Sequence, residues 1–502
     1  MRDIYAFADE VIIWLGHSKS EQYPSDEARE HIGFGLIEDL STCEDSIKGF
    51  PSFVEFALRG DNPISRWHYL REIYSHSWFD RLWVHQEITV AAKASVLGQH
   101  YSTSWDKLAR TVLVLFERID TRSLLLGNDP TVASWTSVVM GIVQRDLVLR
   151  CLHRSFVQQA TAILDRAEPL MNNLKDDLEL SLFHLLKAAR SYKCHNPLDR
   201  VFAILGLVED DMGLRPSYNQ AVSELFTDVT WAIIQEQQSL EILCMADVGN
   251  FPRTNSPDLP SWVIDWRLSG SQPARLDYNG YQAASPQNRC SVHLVSSSST
   301  LEVSGIHIDT IMAVLKEVDK VDDFWRTSIL KLWMNHFKTY PTCCHPVHAY
   351  IRTVTADYDT ISPDNKSRLT ETVVQKKIVI VSRRARNEYI TTFKQEMPPK
   401  EDNHQNWVAE VSRMYGGFVE RRSLTMNSRS FFISRTGYMG IGPIAAEEED
   451  MICIFPGCNV PLLIRKENDY HVLVGECFVW GLMDGEAMEA RTDDEYEVFR
   501  LR

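Results

Sequence analysis

The chain has 502 residues, 44% of them apolar and 24% charged. These ordinary globular values exclude a disordered, collagen-like or repeat-dominated polypeptide, and the length suits roughly three domains. Lys and Arg number 52 against 68 Asp and Glu, a net charge of −16, so there is no positive excess for general nucleic-acid binding.

The ten cysteines are too sparse for a disulfide-stapled scaffold and read as reduced, mostly buried thiols. Met1 to Glu10 is too polar for a secretory signal. No run reaches the roughly 18 apolar residues of a membrane span. The expectation is a soluble, cytoplasmic protein.

Arg2 to Glu10 reads as a short amphipathic helix with Ile4, Tyr5 and Ala8 at helical spacing. Val11-Ile12-Ile13-Trp14-Leu15, closed by Gly16, has the form of a strand buried on both faces. Ser25 reads as an N-cap with Asp26 and Glu27 in the first turn of a helix reaching about Leu40. Pro63 to Ser75 is a second helix. Ser77-Trp78-Phe79-Asp80 has a Ser-x-x-Asp capping pattern and opens a third, from Arg81 to about Val90. Ala94 to Leu97 reads as a short strand, and the alternation is an α/β signature.

From Ser104 to about Gln238 the apolar spacing is mostly helical: Leu108, Val112, Leu113 and Phe116, then Leu182, Leu185 and Leu186, then Val222, Leu225, Phe226, Val229 and Ile233. Between them, Pro197 suits a first helical turn and Gly206 a helix stop. Prolines and serines between about 250 and 300 read as an extended connection. Leu301 to Ile311 alternates like a strand, and Asp322 to Phe337 is helical. After a charged, irregular stretch and one helix near Trp407 to Tyr415 come short strands at Phe431–Ile433, Met451–Phe455, Pro461–Arg465 and Tyr470–Val474. Their roughly ten-residue spacing suggests a small barrel or sandwich. Trp14, Leu15, Trp83, Val84, Phe202, Leu205, Val479 and Trp480 are expected in the core.

Four stretches taken together are specific. They are Ile4-Tyr5-Ala6 through Gly16; Ser77-Trp78-Phe79-Asp80-Arg81-Leu82-Trp83-Val84-His85-Gln86-Glu87; Pro197-Leu198-Asp199-Arg200-Val201-Phe202-Ala203-Ile204-Leu205-Gly206-Leu207; and Gly440-Ile441-Gly442-Pro443 with Pro461 to Arg465 and Val474 to Ala487. In this order they resemble the HET-domain proteins of filamentous fungi, the heterokaryon-incompatibility family. The family's opening strand motifs, Leu-Ser-Tyr-x-Trp-Gly-like and Trp-x-Asp-x-x-x-Ile-like, do not precede Met1. The chain thus resembles a HET protein entered partway through its signature domain, which leaves an inactive truncated remnant as an alternative.

The resemblance implies a role in self/non-self recognition and programmed cell death after hyphal fusion, through protein partners or self-assembly. It also implies a distant kinship with the TIR domain, some members of which cleave NAD with a helix-borne glutamate. The architecture it suggests is a partial flavodoxin-like or TIR-like parallel-sheet domain (residues 1–100), a helical region (101–245), and a mixed α/β region (246–502) with a β-rich module near 430–490.

Within that frame Glu87 is the catalytic candidate. Trp83 and Val84 share its helical face, and a carboxylate beside an aromatic wall can stabilise an oxocarbenium-like ribose. The plainer alternative pairs Glu87 with Arg81 or a nearby Lys and puts Trp83 in the core. Arg81 and Trp83 are the binding candidates, Arg81 as a bidentate phosphate ligand or a salt-bridge partner. No cofactor is implied, and NAD enters only as a substrate of the enzyme alternative.

Cys343-Cys344-His345-Pro346-Val347-His348 lacks the ligand spacing of a structural zinc site, so no metal is assigned. Gly440-x-Gly442 reads as a turn. Arg383-Arg384-Ala385-Arg386 reads as a solvated loop. Asn196 to Leu207 and Gly475 to Ala487 read as structural joints between domains.

Overall fold

In the computed structural model, α1 (Arg2–Ala6) leads into β1 (Val11–Trp14), and the chain divides into two compact units, Met1–Tyr218 and Asn219–Arg502. The structure describes residues 2–16, 26–42, 63–118, 181–190, 192–208, 211–246, 258–268, 276, 280–284, 290–315, 328–358, 368–371, 373–374, 418, 421–489 and 495–502. The helix expected near Trp407 to Tyr415 and the basic run Arg383 to Arg386 lie outside them. The architecture is mixed α/β: a small sheet first, helices in the middle, and a β-rich region last.

In the first unit, β1 pairs in parallel with β2 (Ala94–Leu97), from Val11 opposite Ala94 to Trp14 opposite Leu97. β2 turns back antiparallel into β3 (Ser102–Ser104). The parallel pairing agrees with the strand reading, but burial on both faces does not hold. Val11, Ile13 and Leu15 are buried, while Ile12 is 62% and Trp14 52% exposed. Alternate residues of a strand face opposite ways, and only one face of this one is covered among the described residues.

Helix α2 (Asp26–Ser41) packs beside α3 (Pro63–Tyr74) and α5 (Trp105–Arg118). Phe34, Ile37, Leu40, Trp67, Leu70, Leu108 and Val112 are all buried in this unit. From α2, the Glu30 carboxylate accepts the backbone N–H groups of Gln99, His100 and Tyr101 at 2.9, 2.8 and 3.3 Å. One side chain thereby satisfies three donors of the β2–β3 turn that no ladder could reach.

The third helix starts later than its capping pattern predicts. Ser77–Asp80 is a single 3₁₀ turn, and its cap is His76, whose Nδ1 accepts the Trp78 N–H at 3.2 Å. Arg81 is then extended and forms a parallel bridge with Lys193. The Lys193 N–H donates to the Asp80 carbonyl at 2.6 Å and the Leu82 N–H to the Lys193 carbonyl at 2.9 Å. That distant ladder holds the chain out of the helical region until α4 (Val84–Thr89) begins. Farther along, α6 (Leu182–Ala189) packs on α7 (Asp199–Leu205). The buried Arg200 of α7 donates to the carbonyls of Arg190 and Tyr192 just beyond α6.

The second unit opens with α8 (Val222–Gln237) and is organised by one long strand, β5 (Thr300–Leu315). Its first residues pair with β4 (Val292–Val295) on one edge and β12 (Glu497–Leu501) on the other. Its middle pairs with β8 (Met451–Ile454), and its end with β6 (Arg429–Ser434). β8 continues to β9 (Leu462–Glu467), β9 to β10 (Tyr470–Glu476), and β10 to β12, which returns to β5. The five strands β5, β12, β10, β9 and β8 therefore close into a barrel, and closure removes the edges an open sheet would expose. A second branch runs from β6 to β7 (Met439–Pro443) and β11 (Phe478–Val479).

The predicted turn at Gly440-x-Gly442 is strand β7, buried along its whole length. A Cβ on Gly440 would enter the ring of the fully buried Phe432 on β6, so the glycine is set by close packing. Ile311, Phe432, Ile452, Leu463, Val474, Cys477 and Val479 form one core cluster drawn from both branches. Phe202, Leu205, Val84 and Val479 are buried as expected, while Trp83 and Trp480 are half-buried. The long final motif packs locally. The Tyr340 hydroxyl donates to the Trp480 carbonyl at 2.8 Å, and Arg352, on α10 (Pro346–Val354), lies 4.6 Å over the Trp480 ring.

One ion pair joins the branches. Arg429 at the start of β6 meets Glu476 at the end of β10, with both side chains almost completely buried. Glu476 Oε1 also accepts the Leu276 N–H at 3.1 Å. Removing one partner leaves a buried charge, at a cost of about 3–5 kcal/mol, whereas an apolar pair of similar volume is tolerated far better. In urea titrations Glu476→Ala is expected to lose that much stability, and Arg429→Met with Glu476→Leu to lose much less.

Candidate functional site

The first unit brings α1, α4 and α7 together around Glu87. The extended Arg81 and the late start of α4 place the two charged groups on one side: Arg81 Nη2 lies 3.6 Å from Glu87 Oε1. Tyr5 on α1 reaches the same carboxylate with a hydrogen bond through its hydroxyl. The Glu87 N–H donates to the Trp83 carbonyl at 3.1 Å, so the expected four-residue helical spacing holds. Trp83 itself is the half-buried cap of α4.

Two of the three predicted residues thus meet directly, Glu87 with Arg81. The aromatic group bonded to the carboxylate is Tyr5. Tyr5 is legible in the sequence only as part of an amphipathic helix, because nothing in a linear spacing of 82 positions shows that α1 folds back onto α4. Gln86 is a second residue the spacing does not single out. It is buried, its Oε1 has no hydrogen-bond partner among the described residues, and its amide nitrogen occupies the space where a Cβ on Gly206 would stand. Gly206 ends α7 as expected, but with an ordinary right-handed backbone. Its lack of a side chain serves the approach of Gln86 rather than a reversed turn.

Electrostatics follow from burial. Removal from water pushes the Glu87 carboxyl above its usual range, against the opposing pull of Arg81 and the Tyr5 hydrogen bond. The Tyr5 hydroxyl is pushed up by burial and by the nearby carboxylate. A buried, ion-paired carboxylate can stabilise a developing cation, but Arg81 competes for the same negative charge.

His345 and His348 of the Cys-His stretch have local structural partners. His345 Nδ1 caps α10 by accepting the Val347 N–H at 3.2 Å, and burial keeps its pKa down to about 4, so the ring stays a neutral acceptor. His348 pairs with Glu371 at 3.1 Å. No group of three metal-ligating side chains occurs among the described residues. None of their helices is long and apolar enough to cross a membrane.

A broken α/β segment followed by a closed β-barrel defines a two-module class of protein, and comparison with known proteins agrees. Residues 1–87 match the heterokaryon incompatibility protein (HET) family, and residues 367–499 match the Het-6 β-barrel domain. The chain is also 22% identical over 572 aligned residues to heterokaryon incompatibility protein 6, OR allele, of Neurospora crassa, covering 99% of this chain and 80% of that protein. No solved structure matches. The two family matches and this relative support a fungal HET-domain family protein with a HET-family role in incompatibility.

Because Glu87 titrates above its ordinary value of 4.5, the folded chain holds that proton more tightly than the unfolded chain does. The carboxyl therefore contributes stability at pH values below 4.5, and the contribution is lost as pH rises through the raised native value. Denaturant melts from about pH 4 to about pH 8 should show the wild type losing stability relative to Glu87→Gln as pH rises. Parallel curves would place the carboxyl in water-like surroundings.

Proposed function

We propose that the chain is a regulator of self/non-self recognition whose output is a cell-death reaction after fusion of unlike hyphae, reached through protein assembly. The observation that supports assembly is the exposed face of β1. Ile12 and Trp14 of this strand alternate with the buried Val11 and Ile13 and are 62% and 52% exposed. Ile4 and Phe7 beside it in sequence are 69% and 86% exposed. Exposed apolar side chains gathered in this way mark a surface for contact with another chain. The family match and the incompatibility relative supply the biological setting.

Expression in a fungal host is expected to reduce viability, and light scattering of the purified chain is expected to show self-association. Ile12→Lys, which places a charge on that apolar surface, should restore both viability and the monomer. A chain that stays monomeric and leaves the host unharmed would refute this reading.

A second reading, an NAD glycohydrolase using Glu87, draws support from the buried carboxylate with Tyr5 and Arg81 on it. It requires nicotinamide release on incubation with NAD, abolished by Glu87→Gln. Absent release, or equal release by the variant, leaves Glu87 with its structural role alone.

A further inference from the structure

Three thiols of the second unit lie close together, although their positions in the chain are far apart. Cys244 sits in the 3₁₀ turn Glu241–Met245 that follows α8, and Cys458 sits in the turn between β8 and β9. Their sulfurs are 3.5 Å apart across 214 residues of chain, and both are buried. Backbone hydrogen bonds already clamp the two turns together. The Leu240 N–H donates to the Gly457 carbonyl at 2.7 Å, and the Ser239 hydroxyl donates to the same oxygen at 3.0 Å. The Asn459 side-chain amide donates to Glu241. Gly457 has φ +86° and faces the third thiol, since a Cβ there would stand 2.9 Å from Cys290 Cβ. Cys290 is half-buried, and its thiol is pushed up to about 11 by burial and by Cys458.

We propose that Cys244 and Cys458 form a redox-modification site, an intrachain disulfide that a hydroperoxide installs and a dithiol removes. In the first step one thiolate attacks the peroxide. The O–O bond breaks, one oxygen leaves as water or alcohol, and the sulfur becomes a sulfenic acid. The second sulfur then attacks the first, the S–S bond forms as the S–O bond breaks, and the departing hydroxide takes up the proton of the attacking thiol and leaves as water. In the reverse direction the dithiol is itself oxidised to a disulfide as both thiols are restored. The sulfurs must close from 3.5 Å to about 2.0 Å, a movement within reach of side-chain rotation because the hydrogen-bonded turns already hold the backbones in place. The cross-link ties the helical entry of the unit to its barrel and closes a very long loop of the unfolded chain, the case in which a disulfide restricts that chain most.

The full-length protein is treated with hydrogen peroxide, alkylated, digested without reduction and mapped by mass spectrometry. The expected product is a linked pair of peptides carrying Cys244 and Cys458, separable by a phosphine reductant. It should come with a rise of about 5 °C or more in the thermal midpoint that reduction reverses. Cys458→Ser should lose both the linked peptide and the rise, and Cys290→Ser should keep both. The wild-type map stands without any variant if a serine form fails to fold. Recovery of Cys244 and Cys458 as alkylated thiols, after exposure that oxidises Cys290, would overturn the proposal. So would a dominant link from Cys290 to Cys458.

Discussion

The β-rich unit is tied together by a buried contact between unlike charges, Arg429 with Glu476. Arg429 begins β6 of the branch and Glu476 ends β10 of the barrel, and each charge is out of water. Desolvation makes such a pair costly by itself, so it is tenable only where the two are held close and further donors satisfy the carboxylate. The Leu276 N–H supplies one such donor from a distant part of the chain. The pair therefore demands one arrangement of three segments, which an apolar contact of equal volume would not. β5 adds the backbone counterpart of that demand. Sixteen residues long, it shares its hydrogen bonds among β4, β12, β8 and β6, and register shifts at Asp309 and Ala313 let it serve two sheets.

The first unit has a smaller device with a larger effect on its candidate site. The extended bridge between Arg81 and Lys193 interrupts a stretch that would otherwise run on as helix. As a result α4 starts at Val84, Arg81 is free of helical geometry, and its guanidinium can reach Glu87 from outside the helix. Tyr5 closes the carboxylate from α1, and Gln86 is accommodated because Gly206 has no side chain. Each contact comes from a different part of the unit, so the environment of Glu87 reports on the packing of three helices together.

Buried carboxylates of both units are paired with arginines: Glu87 with Arg81, Glu476 with Arg429, and Asp357 with Arg352 at 2.5 Å. The first unit also leaves the large apolar side chains Ile12 and Phe7 exposed. A surface of that kind favours recognition by contact, whereas polar groups converging on a pocket would favour turnover.

The sequence by itself determined the helices with strong apolar spacing and the strands at Phe431, Met451, Pro461 and Tyr470. In each of these the signal is local, within one helical turn or one alternating run. Tertiary structure alone decided which face of Val11–Trp14 is wet, because alternation marks two faces without saying which one is covered. It held Arg81 extended and delayed the following helix to Val84, since Lys193 pairs with Arg81 from 112 residues away. The closure of the barrel, the Tyr5 contact and the meeting of Cys244 with Cys458 belong to the same class. All of them are pairings between segments far apart in the chain, and periodicity along a sequence holds no information about which distant segment arrives.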